Sequence, residues 1–287
     1  MKIDFFIAGF QKAATTKVKE MINGNSNVSM HELEEMTYFI DEEFESEAFD
    51  FIPQYFDEVS SLKKLGAKSA SMAISESSLI RLKNHNSSCK IILVLRNPVK
   101  RAYSAFWYCR RMGWEDEGEF SVAIDRPRNS YPKGMIRRSC DYLGQSYYAK
   151  HIKVVLKYFP SEQVKTYILE EDFADIDVLN KDLCSFLGVP FENKNKKAMV
   201  NSSAMPNFLF LTKFLRRKSV LSSLIKGVMP LRVVKFVRKL KEKLVKLNEV
   251  EFSKPEMDED VLSKLEVFFE NKNKELELLL NRTIKKW

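Results

Sequence analysis

Ile3-Asp4-Phe5-Phe6-Ile7-Ala8-Gly9-Phe10-Gln11-Lys12-Ala13-Ala14-Thr15-Thr16 is the stretch from which the rest of the chain is read. A short apolar run closes at Gly9, and a Lys, two Ala and two Thr follow before Lys17-Val18-Lys19-Glu20-Met21-Ile22. Val18, Met21 and Ile22 fall on one face of a helix. Strand, small-residue turn and helix together aim backbone N–H groups and the positive end of a helix dipole at an anion. Lys12 adds a mobile charge, and Thr15 and Thr16 add hydroxyl donors. Phosphate is the ligand that fits such a turn best. The turn is not a Walker A sequence, because Lys12 follows Gly9 by three residues with no second Gly before it. It is not G-x-G-x-x-G either, which excludes a nicotinamide dinucleotide fingerprint. The plain alternative is a buried β–α connection with an exposed Lys.

A second stretch, Lys90 to Phe106, supports the phosphate reading. Ile91-Ile92-Leu93-Val94-Leu95 reads as a central parallel strand buried on both faces. Arg96 stands at its carboxyl end, where open α/β sheets bind ligands, and Pro98 suits the opening of a helix that contains Ser104. An Arg and a helix Ser converging there suit a phosphate through bidentate and hydroxyl bonds.

These two stretches resemble the cofactor motifs of sulfotransferases that use 3′-phosphoadenosine-5′-phosphosulfate (PAPS). The first is similar to the 5′-phosphosulfate loop G-x-x-K-x-G-T-T, with Ala14 in place of the commoner Gly. The second matches the 3′-phosphate motif L-R-[ND]-P-x-x-R-x-x-S at Arg96, Asn97, Pro98, Arg101 and Ser104. Two further segments resemble the carbohydrate-modifying and heparan-sulfate type. Glu35 with Tyr38-Phe39 occupies the place of K-E-x-x-[FY]-F, whose Glu is the catalytic base, but Glu34 stands where the family has Lys. Glu34, Glu32 and His31 therefore stay open as alternative bases. Gly66, Lys68 and Ser69 match G-E-K-[ST]-P-x-Y, whereas Ala67, Ala70 and Met72 depart from it.

The resemblance implies a three-layer α/β/α fold with a central parallel sheet and a P-loop-like phosphosulfate-binding turn. It implies in-line transfer of a sulfuryl group from PAPS to a hydroxyl, less readily an amine, leaving 3′,5′-adenosine bisphosphate (PAP). Glu35, Lys12 and Lys68 would be catalytic. Gln11, Lys12, Ala13, Ala14, Thr15 and Thr16 would hold the 5′-phosphosulfate, and Arg96 and Ser104 the 3′-phosphate. The family's cofactor-closing loop adds Lys196 and Lys197. The acceptor would be a saccharide, a glycolipid or a small natural product, and no metal is required. The competing readings are a P-loop nucleotide-dependent kinase and a basic protein that binds membranes or polyanions. A kinase usually closes the neighbouring strand with an Asp for Mg²⁺, and here Arg96 closes it.

Composition sets the frame. The 287 residues carry 45% hydrophobic and 30% charged side chains, as a globular chain with a real core does. Lys+Arg 47 against Asp+Glu 39 gives a formal charge of +8, which favours anionic partners. Nucleic acid is not expected among them. Cys89, Cys109, Cys140 and Cys184 are scattered, and the three His do not cluster, so reduced thiols and no metal site are expected. No basic-then-apolar leader precedes the first strand and no apolar run is long enough to span a bilayer, so a cytoplasmic protein is expected.

The remaining segments fall into place around this. Residues 41–64 read as an acidic and aromatic surface helix and loop, and 109–138 as one long basic connection near the acceptor and the phosphates. A helix to Tyr158-Phe159, a strand Val164–Leu169, a helix closing at Gly188 and a last helix from Asp258 to Leu280 follow. Residues 207–248 alternate apolar and basic side chains. They are expected to pack an apolar face on the rest, the alternative being a weak association with anionic membranes. The whole chain, 1–287, is expected to be one domain with 207–287 as its helical end.

Overall fold

A computed structural model of the chain describes residues 2–40, 56, 62–192, 204–206 and 249–287. Five strands form one sheet in the order β2-β3-β1-β4-β5: β1 Phe5–Gly9, β2 Val28–Met30, β3 Lys64–Lys68, β4 Lys90–Leu95 and β5 Val164–Ile168. Every neighbouring pair in it is parallel. Parallel strands need crossover connections, and helices make them. These include α1 Thr15–Ile22, α2 Glu76–His85, α3 Pro98–Met112 and α6 Tyr148–Tyr158. The sheet is a three-layer α/β arrangement: α1 packs on α8 (Ile176–Leu187), while α6 packs on α2 and on α9 (Glu259–Leu280), which also meets α3.

The two strands that dominate the sequence pattern are the sheet's centre. All five residues of β1 are buried, as are Ile91 to Leu95 of β4. Strands covered on both faces need such continuous apolar runs. β3 follows the same logic with small residues, since a Cβ on Gly66 would run into the Phe5 ring and stand 2.5 Å from Met30 Sδ. Helix starts are fixed locally. Asn97 Oδ1 accepts from the Lys100 N–H at 3.0 Å with Pro98 in the first turn, and Asp258 Oδ1 caps α9 through Asp260 and Val261.

Residues 109–138 are not one long connection. α3 runs on to Met112, and α4 (Phe120–Asp125) and α5 (Met135–Ser139) follow. The reason is Glu115, which is fully buried and serves as a hub. Its carboxylate accepts from Tyr131 Oη, from Tyr142 Oη at 2.8 Å and from the N–H groups of Asp116 and Glu117, with Arg126 at 3.3 Å. A buried carboxylate must be satisfied in this way, and satisfying it folds the segment. Burial beside this carboxylate pushes the Tyr131 hydroxyl well above its ordinary range. Most of the 41–64 segment, the loop with Lys196 and Lys197, and 207–248 lie outside the described residues. Flanking 207–248, β6 (Ala204–Pro206) pairs antiparallel with β7 (Glu249–Glu251). No helix among the described residues is long and apolar enough to cross a membrane.

Candidate active site

The turn after β1 is the site's floor. Lys12 and Ala14 both take left-handed backbone, at φ 66 and 68, and Ala14 is the N-cap of α1. Among the described residues no side chain caps this helix start, which leaves its first N–H groups for an external acceptor. Ala13 and Thr15 are both buried in this turn. Gln11 Oε1 is buried with no hydrogen-bond partner among the described residues.

Arg96 joins the second motif to this turn. Its Nη1 donates to the Lys12 carbonyl at 3.2 Å. The Arg96 carbonyl in turn accepts from Tyr148 Oη at 2.8 Å. Ser104, Tyr108 and Arg111 follow at helical spacing along α3. Lys12 Nζ lies 5.1 Å from the centre of the Tyr108 ring, and the Arg111 guanidinium 5.6 Å from the same ring. Lys254 joins them from far along the chain, close enough to Lys12 and Arg96 for mutual repulsion. Its segment is anchored on α3 by Tyr103 Oη, which donates to the Pro255 carbonyl at 3.0 Å, and by the Trp107–Phe252 ring contact at 4.9 Å.

Four cations thus share one corner. Burial, with Arg111, Arg96 and Lys254 nearby, lowers the Lys12 pKa from 10.5 to about 8. Burial and Arg96 lower that of Lys254 as well. Positive groups held together against their own repulsion, at an uncapped helix start, make a strong anion site. Arg101 of the same motif plays no part on this surface. It is fully buried, donating from Nε to Ser146 Oγ at 2.5 Å and from Nη2 to the Tyr142 carbonyl.

A carboxylate pair borders the turn on its other side. Lys68, 1% exposed at the end of β3, places Nζ 2.5 Å from Glu35 Oε1. Glu35 Oε2 accepts from the Ala70 N–H at 2.8 Å, and its side chain keeps 38% exposure. Lys68 Nζ also donates to Thr16 Oγ1 at 3.3 Å, and that hydroxyl donates to Glu34 Oε1 at 3.3 Å. The Glu-bearing segment is held from α1 by Lys19, whose Nζ donates to the carbonyls of His31 (2.7 Å) and Leu33 (2.5 Å). His31 itself is buried, and burial lowers its pKa to about 4. It is a neutral core imidazole, facing Phe56 edge-on.

The sulfotransferase domain family matches residues 2–277. The chain belongs to the sulfotransferase family. It is accordingly a PAPS-dependent transferase of sulfuryl groups. Among solved structures, a sulfotransferase from Alicyclobacillus acidocaldarius is 21% identical, with 99% of this chain and 98% of that one covered and a TM-score of 0.67. That likeness is one of fold. The sulfotransferase domain of the Synechococcus PCC 7002 olefin synthase is 13% identical over 84% of this chain and 94% of that one, at TM-score 0.44. A mouse sulfotransferase, SULT7A1, complexed with PAP is 15% identical over 67% of this chain and 61% of that one, at 0.40. A search among curated proteins gives no significant match.

In this sulfotransferase the structure links Thr16, Glu35 and Lys68 in one contact set and sets Arg96 against the Lys12 carbonyl in another, four residues apart along the same turn. Ser104 shares α3 with Tyr108 and Arg111, and no contact ties it to Arg96. Two features were missed from the sequence. Tyr108 was visible as helical spacing from Ser104 to Arg111, but Lys254 carries no sequence signal at all.

Proposed function

We propose that this sulfotransferase moves the sulfuryl group of PAPS to a hydroxyl of a saccharide or a comparably hydroxylated small molecule, with PAP as second product. The observation that carries the reading is that one turn carries a contact set at each of its two ends. Arg96 bonds the Lys12 carbonyl at one end, and Thr16, Lys68 and Glu35 are linked at the other. One strand–turn–helix unit thereby serves both the donor and the proton acceptor.

In this mechanism the α1 N-terminus and the residue 11–16 backbone hold the 5′-phosphosulfate, and Arg96 with Ser104 the 3′-phosphate. Arg111 and Lys254 add charge at the same corner, which suits a donor with two anionic ends. Glu35 takes the acceptor proton as the oxygen attacks sulfur and the S–O bond to the nucleotide breaks. Lys12 meets the negative charge that builds on the departing phosphate oxygen. Lys68 orients Glu35 and faces the sulfuryl oxygens. Catalysis is then largely positioning and electrostatics. The saccharide preference rests on the Glu35 segment's resemblance to the carbohydrate-modifying type. One domain spanning 1–287, in the cytoplasm, completes the proposal.

The deciding experiment measures melting temperature with PAP, AMP and ATP, with and without Mg²⁺, followed by an acceptor screen with labelled PAPS read by mass spectrometry. PAP is expected to stabilise clearly more than AMP or ATP. At about a hundredfold excess over Kd the gain is roughly 2.7 kcal/mol. Equal shifts for ATP with Mg²⁺, and none for PAP, would sink the reading.

A further inference from the structure

Around the Arg96–Asn97 turn lies a contact set that the mechanism does not use. The Asn97 N–H donates to Glu170 Oε1 at 3.0 Å. The other oxygen of that carboxylate, Oε2, accepts from Trp287 Nε1 at 3.1 Å. The Trp287 ring also lies 5.8 Å from that of Tyr148, centre to centre. Tyr148 is the residue whose hydroxyl bonds the Arg96 carbonyl, and its ring meets Phe10 of the phosphate turn edge-on at 4.8 Å. Trp287 therefore reaches the backbone on both sides of the Arg96–Asn97 peptide, through Glu170 and through Tyr148.

The segment that leads to it is held by paired contacts. Arg282 spans both oxygens of Asp172 at 2.9 and 2.8 Å and donates to Glu171 at 2.7 Å. The Lys285 N–H donates to Glu171 Oε1 at 2.6 Å, and the Ile284 N–H to Glu277 Oε1 at 2.6 Å. Charge-assisted and paired contacts of this kind fix geometry as well as adding energy. The acids Glu170, Glu171 and Asp172 all lie in the short helix α7 (Leu169–Asp172), directly after β5. The segment after α9 thus docks on the carboxyl edge of the sheet beside β4, where Arg96 projects.

We infer that Trp287 and Glu170 are positioning residues for the 3′-phosphate: they hold the Arg96–Asn97 turn in the attitude that lets Arg96 bind it. This rests on the donor-binding role proposed above for Arg96. The physical reason is that a guanidinium on a strand end is only as well aimed as its peptide. Here that peptide is tied on its carbonyl side by Tyr148 and on its N–H side by Glu170. An outer layer of this sort sets binding geometry without touching the ligand.

The test compares Kd values for PAP and AMP by calorimetry in the wild type, Trp287→Ala, Trp287→Phe and Glu170→Gln, with the ligand-free melting temperature of each. The ratio of the two Kd values isolates the 3′-phosphate. Trp287→Ala is expected to weaken PAP by about 10-fold while AMP changes by less than about threefold, as misplacement of a binding group does. Trp287→Phe keeps the ring against Tyr148 and loses the indole N–H, so it should fall between. Glu170→Gln keeps size and can accept only one of the two N–H bonds, and should resemble Trp287→Phe. A merely structural role predicts a lower melting temperature with PAP and AMP weakened alike, and that result overturns the inference. An unchanged PAP-to-AMP ratio in all three variants overturns it too. Failure of the wild type to bind PAP at all would instead overturn the donor reading on which it rests.

Discussion

Lys68 Nζ stands 2.5 Å from Glu35 Oε1, a buried cation paired with a carboxylate that still reaches solvent. Lys68 is costly to leave without Glu35, because it is 1% exposed and among the described residues has besides only Thr16 and, at 4.0 Å, Glu34. Glu35→Gln removes proton acceptance and is expected to lower transfer about 10²–10⁴-fold while PAP still stabilises the protein. It should also cost roughly 1–3 kcal/mol of stability, since the charged hydrogen bond is lost. The double variant Glu35→Gln/Lys68→Met should recover part of that loss relative to the sum of the singles. Additive losses in denaturant melts would show that the pair is not coupled.

Glu34 is the control, and it has its own expected signature. It accepts from Thr16 Oγ1 at 3.3 Å, and its negative charge favours the protonated form of Lys12. Its side chain is 73% exposed, so its worth to stability is small. Glu34→Gln should leave turnover within a few-fold and tighten PAP roughly two- to threefold, because a negative charge beside the anion site has gone. Initial rates and calorimetry check both. Loss of turnover here with Glu35→Gln spared would move the base to Glu34.

Lys12 gives the pH dependence. Burial and its cationic neighbours bring it to about 8 in the ligand-free fold, against 10.5 in the unfolded chain. Between those values the unfolded chain binds more protons, so ligand-free stability rises with pH through that window. A bound anion does the opposite and draws the proton back on. PAP affinity should therefore fall as pH rises above about 8, with uptake of up to about one proton per PAP there. Calorimetry in buffers of different ionisation enthalpy measures the uptake. Lys12→Met should abolish it.

Ala14 predicts a stabilising change. It holds φ 68 at the N-cap of α1, a region that costs a residue with Cβ about 1 kcal/mol and costs Gly almost nothing. Ala14→Gly is expected to raise the melting temperature by roughly 2–3 °C. A drop would mean that the added freedom of the unfolded chain outweighs the relieved strain.

The sequence by itself determined the local architecture and the chemistry of the turn. Continuous apolar runs at Phe5–Ile7 and Ile91–Leu95 encode strands buried on both faces, and Asn97-Pro98 encodes a helix start. These signals are short-range, so they survive in a string of letters. Lys12, Thr16, Arg96 and the Glu34–Glu35 segment were legible for the same reason, through residue types at fixed spacing. What only the tertiary structure decided is pairing across distance. The motif resemblance assigns Glu35 and Lys68 to one site, but nothing in the sequence pairs their side chains directly. Nothing marks Glu115 as a fully buried hub, which turned a supposed connection into helices. Lys254 becomes part of the cation corner only because Tyr103 and Trp107 of α3 hold its segment. Trp287 meets Glu170 only because α9 runs back across α3 and α6 and delivers it to the sheet edge. Such contacts depend on how faces pack and which polar groups must find partners once water is excluded, and that is a property of the folded whole.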